Sequence, residues 1–477
     1  MKANKKTVIA IVLIVLATVL VSSSVLQAKE IELKEAANWG IQHNYDLQKI
    51  RYDIETLERE LEILDAGEAL QINLKVTPIF AFGGEESSDS TEDSTLSSTN
   101  DTSNLISLTA EKSISDDLNI SAEVSWEQSA LSEISFEGIV ENANAVIQVD
   151  KQIYPTSWSE NEQQVFQTKN NLQMKIEELT WEEAEKQIDF VEDYLTIIRS
   201  TEETNLADKK YQQAKKELEW VQQQINLGEG SAQQEVEAKL ALMEADNQLF
   251  NLKQSLIQQK QEWYLQLGLL EDVQVQFEEE PVYLKSLRAS MEQLKLDTEK
   301  EETLFNQAIE NHYQIKIGYL EKDSLLKEAE LTKNEGKPTI GISGGYDFPD
   351  QYWYAMVDLS WNLADGGTQG FKEEDCEATI LQKEKEINQL TEELQLEMNQ
   401  LLDQDQYNQL NLQTKLLALE EEQHIKEVME KQYQEGTISS TEWQNQLITL
   451  AEKELEVEKA QDQLLINRLS LAHFSGI

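Results

Sequence analysis

The chain has one cysteine, Cys376, among its 477 residues, which excludes an intramolecular disulfide framework. Its four histidines are scattered, and none has a second candidate ligand at metal-binding spacing. The sequence also lacks a nucleophile elbow and a phosphate-binding loop. We therefore predict a protein that is not an enzyme and that uses no metal or cofactor.

Basic residues are scarce. Lys and Arg number 40 against 90 Asp and Glu, which gives a formal net charge of -50. Such an excess of acid repels phosphates and argues against a nucleic-acid partner. It also implies strong self-repulsion unless salt or divalent cations screen the charge, and a saline habitat is one hypothesis for this composition.

Long apolar runs are absent after residue 21, so we predict no bundle of membrane-spanning helices. A β-barrel stays possible, because the sequence signal of its strands is much weaker. The one apolar run, Val8–Val21, follows a lysine-rich start and precedes a small-residue site at Ala28. This pattern predicts a cleaved signal peptide over residues 1–28. The alternative is an uncleaved anchor, but a run of about 14 residues is shorter than the ~20 that a spanning helix needs.

Proline is rare, and all five prolines lie outside the segments in which apolar residues recur at helical spacing. These segments predict long helices over residues 30–70, 157–226, 231–267, 287–335 and 368–435, and from the Gly436 turn to Leu471. Between them the period switches to two, which predicts strands with one apolar face. The predicted strand regions are 71–82, 105–126, 143–154 and 339–364. The tract Gly83–Asp101 holds six acids and no base, so we expect a solvated loop there.

The chain repeats itself internally. A shift of 208 positions places Gly228 on Gly436, and a shift of 268 places IQHNYDLQ (41–48) on IENHYQIK (309–316). The first shift also carries a heptad ladder of Leu242, Leu249, Leu256 and Trp263 onto Leu450, Val457, Leu464 and Leu471.

We predict two repeats, 29–268 and 287–477, joined by a linker at 269–286. Each repeat holds a helix, β-strands and a long helical hairpin that reverses at Gly228 or Gly436, where glycine permits a left-handed backbone. Because the two offsets differ by 60, the first repeat carries 60 extra residues between its strand onset and its turn.

The order of these segments resembles the TolC family of outer-membrane efflux and secretion channels. The resemblance rests on the paired openings IELKEAANWGIQHNYDLQ and FNQAIENHYQIK, the strand exit VDLSWNLADGG, and the turns INLGEGS and YQEGTIS with their heptads. It implies a fold of long antiparallel coiled-coil hairpins, forming an α-helical tunnel, plus a 12-stranded transmembrane β-barrel shared by a homotrimer. It also implies an outer-membrane location with a periplasmic extension, and a periplasmic adaptor and an inner-membrane transporter as partners.

The departure from the resemblance is the extra strand pair at Leu105–Trp126. Six strands in each chain would give 18 in a trimer, and we interpret this pair as an extracellular extension instead. Physical reasoning favours a shared barrel in either case, because one chain has too few strands to close a barrel. Tyr346, Trp353 and Trp361 are candidates for the aromatic girdles in contact with outer-membrane lipid.

The resemblance places a gate at the hairpin turns. Tyr433 matches a gate tyrosine, and Glu442 matches a carboxylate that forms an acidic ring in the trimer. Asn445 and Ile438 stand where the family carries a second acid and an arginine, which puts the polar latch in doubt. The first-repeat equivalents of Glu442 and Asn445 are Gln234 and Glu237. Alternatively, Glu442 has no gate role and is simply one of the 90 acidic residues of the chain, exposed to solvent.

The function implied is a passive exit duct of a tripartite efflux pump or a type I secretion system. The alternative function is a secreted coiled-coil surface or scaffold protein without a pore, and the alternative for the strands is a soluble β-sandwich. The heptads fit every one of these interpretations, since they indicate coiled coils only. Drug, metal and protein cargo are not distinguished by the sequence.

Overall fold

A computed structural model describes residues 29–67, 69–81, 101–115, 118–129, 143–155, 160–269, 273–293 and 301–476. The expected signal peptide and nearly all of the expected acidic loop lie outside these residues. The chain divides into two compact units. The first unit takes residues 1–52, 177–315 and 390–477, and the second takes residues 53–176 and 316–389.

Four long helices dominate the chain, two in each repeat, and each pair is joined at a glycine turn. The helices are α1 (Leu33–His43), α2 (Tyr45–Gly67), α3 (Glu160–Asn226), α4 (Ala232–Gln266), α5 (Val282–Gln293), α6 (Glu301–Asn311), α7 (Tyr313–Glu335), α8 (Thr368–Gln434) and α9 (Ser440–Ser475). None of these described helices has a stretch both apolar and long enough to cross a membrane. The heptad ladder points inward, since Trp263 on α4 and Leu471 on α9 are each 1% exposed.

The core of the first unit lies where α1, α3 and α4 meet. Trp263 and Phe190 are buried against each other, and the indole Nε1 of Trp263 donates to the Phe190 carbonyl at 3.1 Å. The expected linker holds a short strand, β6 (Val273–Val275), which pairs in parallel with β1 (Lys29–Ile31). Ile31 and Val275 are both buried in this core, so strand pairing removes their apolar side chains from water.

The two repeats close in the same way. The end of α4 contacts the break between α1 and α2, where a Cβ on Gly268 would lie 2.8 Å from the His43 carbonyl oxygen. The end of α9 contacts the break between α6 and α7, where a Cβ on Gly476 would lie 3.1 Å from Asn311. Both sequence offsets therefore describe one repeated contact, because shifts of 208 and 268 carry the first pair of residues onto the second.

The second unit contains a six-stranded antiparallel sheet of order β2-β3-β4-β5-β7-β8. The strands are β2 (Gln71–Ala81), β3 (Asp101–Ser115), β4 (Leu118–Ser129), β5 (Ala143–Tyr154), β7 (Thr339–Asp347) and β8 (Tyr352–Ser360). Helical segments lead into and out of this sheet at one end, immediately before β2 and β7 and shortly after β5 and β8.

The segment Leu105–Trp126, which the sequence led us to interpret as an extracellular extension, lies within the sheet between β2 and β5. β3 pairs with β2 from Gln71↔Glu111 to Ala81↔Asp101, and β4 pairs with β5 from Leu118↔Lys151 onward. The hairpin therefore separates β2 from β5. Ser115, where β3 ends, and Leu118, where β4 begins, are direct partners and lie at the end of the sheet where the helices attach. Alternation of side chains along a strand does not show which strands pair with it. The sequence pattern therefore could not distinguish an extension from two further strands of the sheet.

Candidate functional site

The sheet has one apolar face that runs without interruption across all six strands. Residues that are direct partners in neighbouring strands point to the same face. One such row consists of Ile72, Ala110, Ala122, Ile147, Tyr346 and Trp353, in strand order. Shorter rows are Leu74, Leu108, Val124 and Ala145, and Val76, Ile106, Trp126 and Ala143. Many of these side chains are exposed in the single chain, for example Ile72 at 63% and Trp353 at 80%.

The opposite face of the same strands is polar. One row consists of Gln71, Glu111, Ser121, Gln148, Gly345 and Tyr354. The Tyr354 hydroxyl donates to the Gln148 Oε1 at 3.2 Å, so this face also carries side-chain hydrogen bonds. A sheet that is apolar on one side and polar on the other fits a wall between lipid and water.

The three girdle candidates lie at opposite ends of the apolar face. Tyr346 and Trp353 are direct partners, with ring centroids 4.9 Å apart, near the β7–β8 turn. Trp361 follows the other end of β8 and is 59% exposed. The two tryptophans are eight positions apart, or about 27 Å along an extended chain. At a barrel tilt of about 40° this corresponds to about 21 Å of height, close to the roughly 25 Å of a lipid-facing band.

The two helical turns have the same backbone. Gly228 and Gly436 have φ of 83° and 73°, and a Cβ added at either position would have no atom within 4 Å of it. The Gly436 amide donates to the Tyr433 carbonyl as the Gly228 amide donates to that of Ile225. Glycine is needed at both positions for backbone conformation alone.

Each turn leads into a capping box at the next helix. The Ser439 backbone amide donates to a Glu442 carboxylate oxygen at 2.7 Å, and the Glu442 amide donates to the Ser439 hydroxyl at 3.2 Å. Ser231 and Gln234 make the same reciprocal pair at the start of α4. These hydrogen bonds, led by the one from the Ser439 backbone, lower the pKa of Glu442, so its carboxylate is held ionised at the N-terminus of α9.

The turns differ in the side chains around this shared backbone. Tyr433 stacks on Trp443, with ring centroids 5.9 Å apart and planes at 12°. The residues at the corresponding positions of the first turn are Ile225 and Glu235, and Glu235 instead pairs with Lys239 at 2.7 Å. The aromatic contact thus links the two helices across the second turn, whereas the ion pair near the first turn lies within α4.

The remaining gate candidates, Asn445 and Glu237, are both exposed on the first turns of their helices. Glu237 accepts a hydrogen bond from the Gln233 side chain at 2.9 Å. The structure therefore groups Tyr433, Glu442 and Asn445 at one turn and Gln234 and Glu237 at the other.

Sequence reasoning missed two features. Trp443, the partner of Tyr433, lies seven residues after Gly436 and was visible as an aromatic next to the turn. The capping boxes were visible as Ser-x-x-Gln and Ser-x-x-Glu immediately after each glycine turn. Among the described residues there is no group of three or more side chains suited to holding a metal ion.

No protein-family model matches the sequence, and no curated protein matches it. The structure, however, is similar to solved structures of outer-membrane proteins. It matches CusC with a TM-score of 0.65 at 11% identity, covering 94% of this chain and 93% of that one. It matches VceC of Vibrio cholerae with 0.61 at 11%, covering 93% and 96%, and the CmeC channel of Campylobacter jejuni with 0.62 at 9%, covering 93% and 85%. The expected combination of long helical hairpins with a β-sheet domain is confirmed: the chain has the fold of these outer-membrane channel proteins.

Proposed function

We propose that the mature chain, after removal of residues 1–28, is the outer-membrane exit duct of a tripartite export system. Cargo enters from an inner-membrane transporter through a periplasmic adaptor and leaves through the β-sheet domain. The transporter supplies the energy, and this chain supplies a water-filled path and a gate, with no enzymatic step.

The two-faced sheet carries this proposal. A soluble β-sandwich would bury its apolar rows between two sheets, whereas here one sheet leaves them exposed or half-buried. This continuous apolar surface is far larger than the isolated apolar patches on a soluble monomer. Contact with lipid removes it from water. The polar face then lines the pore.

Assembly into three copies is supported by the helices. Helix α4 has a buried stripe that includes Leu249 and Trp263, and a second apolar stripe that is exposed. The exposed stripe consists of Val236, Leu240, Met243, Phe250 and Ile257, which are 50–66% exposed. Their spacing of three, four or seven residues is that of a coiled-coil seam, so α4 has a second apolar face that a neighbouring copy can cover.

The gate is proposed at the second turn. Three copies of Glu442 around a common axis form a ring of carboxylates that attracts cations and impedes anions. The stacked Tyr433 and Trp443 hold the end of α8 against the start of α9, and their separation widens the passage. Asn445, Gln234 and Glu237 complete the polar lining at the two turns.

Replacement of Glu442 by Gln separates the charge from the capping role. Gln234 fills the same capping position in the first repeat with the same hydrogen bonds, so Glu442→Gln keeps the fold of the turn. We expect the variant to assemble normally and to show a lower cation preference in bilayer recordings. Glu435→Gln, which removes an exposed acid just before the turn, is the matched control. Equal ion selectivity in Glu442→Gln and wild type contradicts the acidic ring.

Location and assembly are tested by extraction. The proposal requires detergent-extracted, heat-modifiable trimers from an outer-membrane fraction. A soluble, extended monomer or dimer in the periplasm or medium contradicts it and favours the scaffold function.

A further inference from the structure

The hairpin β3–β4 is the part of the chain that the proposed duct does not by itself explain. It inserts two strands between β2 and β5. This inference rests on the proposed assembly of three copies.

The faces of the hairpin continue those of the rest of the sheet. On β4, Ala122 and Val124 belong to the apolar rows, while Glu123 and Ser125 belong to the polar rows. β3 follows the same pattern, with Leu108 on the apolar face and Glu111 on the polar face. A hairpin that projected beyond the membrane would have water on both sides and no reason to keep an apolar face in register with its neighbours.

The turn of the hairpin lies at the end expected of a membrane-wall strand pair. Barrel proteins of outer membranes have short turns at the periplasmic end and longer loops outside. Here β3 ends at Ser115 and β4 begins at Leu118, and these two residues are direct partners at the helix end. At the opposite end, β2 ends at Ala81 and β3 begins at Asp101, while β4 ends at Ser129 and β5 begins at Ala143. The chain therefore crosses the sheet height four times between Gln71 and Tyr154.

The stagger of the six strands fits closure into a barrel. The row that begins at Gln71, the helix end of β2, reaches β8 at Tyr354, six residues from Ser360 at its helix end. Six residues along the strands over five strand spacings correspond to a tilt of about 40°. Closed barrels have strand tilts of about 35–45°.

We propose that each copy contributes all six strands to the pore wall, and that β2 of one copy pairs with β8 of the next to close a barrel of 18 strands. Within the described residues β2 and β8 are the two edges of the sheet, each with one side unpaired. With strands about 4.8 Å apart and tilted about 40°, 18 strands give a backbone diameter of about 36 Å, and the 12 strands left without the hairpin give about 24 Å. The added wall also brings Glu111 and Glu123 of each copy to the lumen.

Such a width suits bulky cargo. A barrel of 16–18 strands leaves an aqueous channel, whereas narrower barrels fill much of their interior with side chains. The hairpin thus enlarges the exit, and the carboxylates of Glu111 and Glu123 favour cations or hydrated cargo without dense negative charge.

The test places nitroxide spin labels on both faces of the hairpin in the full-length assembly in lipid, with Cys376→Ser as background. Val124→Cys reports the apolar face of β4 and Ser125→Cys the polar face. Val357→Cys and Asp358→Cys report the corresponding faces of β8, which belongs to the wall whether or not the hairpin does.

We expect the labels at 124 and 357 to collide mainly with oxygen from the lipid phase, and those at 125 and 358 mainly with a water-soluble nickel chelate. Lipid contact at 357 together with water contact at both 124 and 125 overturns the inference and leaves the duct intact. Water contact at 357 as well overturns the proposed function itself. Electron-microscopic images of the same assembly then count 18 strands if the inference holds and 12 if it fails.

Discussion

Replacement of His312 by Asn should make the free energy of unfolding of the first unit less sensitive to acid. His312 lies in the break between α6 and α7 and is 4% exposed, and its Nδ1 accepts the Gln314 backbone amide at 3.3 Å. Burial, with a smaller contribution from nearby His473, lowers the pKa of His312 to about 4 from an ordinary 6.5. A protonated ring would lose this acceptor and place a positive charge at a helix N-terminus.

The sign follows from the depressed pKa. Because the unfolded chain binds this proton more readily than the folded one, the stabilisation is complete above about pH 6.5 and is lost as the pH falls toward 4. From about pH 7.5 to about pH 4.5 the loss is about 2.5 kcal/mol for this one group, or on the order of 5 °C in melting temperature.

Asn is the matched substitution because Asn44 occupies the corresponding break in the first repeat. Its Oδ1 accepts the Asp46 and Leu47 amides at 3.0 and 3.2 Å, so His312→Asn keeps a cap and removes the titration. Circular dichroism melts at the two pH values should show a smaller decrease for His312→Asn than for wild type. His424→Asn, at an exposed position, should keep the wild-type decrease. Equal decreases in wild type and His312→Asn refute the reasoning.

Three further substitutions test the stability of the first unit. Gly436→Ala should lower the free energy of unfolding by about 1 kcal/mol, since only the positive φ of this residue opposes a side chain. Gly268→Ala should lower it by about 3 kcal/mol, because the added Cβ would lie 2.8 Å from the His43 carbonyl oxygen. Equal decreases for the two variants in urea unfolding contradict this difference. Arg199→Met should lower the free energy of unfolding by about 3 kcal/mol, because Arg199 donates to the buried Asp462 at 2.7 Å and also pairs with Glu202 and Glu458. A melting temperature equal to that of wild type contradicts this role.

The repeat made much of the fold predictable. Spacing of apolar residues and the two offsets located the long helices, the turns at Gly228 and Gly436, and most strands. These signals are local, so a single sequence contains them. The contact between Gly268 and His43 was implicit in the offsets, since the same shifts produce Gly476 and Asn311.

The place of the hairpin and the detail of the turns were not predictable in the same way. Alternation showed that Leu108 and Val124 share a face, but pairing with β2 and β5 depends on contacts between distant segments. At the turns, Tyr433 and Glu442 were singled out by resemblance, whereas stacking with Trp443 depends on side-chain geometry across the turn.

Planar-bilayer recording of the purified full-length protein tests whether it forms a water-filled duct through a membrane. Wild type should be recorded beside Tyr433→Ala, which removes the stacked pair that the proposed function places at the gate. The account predicts discrete, cation-preferring conductance steps from trimers, larger or more frequent in the variant. The absence of steps in both proteins, from material that is folded and inserted in the bilayer, would contradict a water-filled duct.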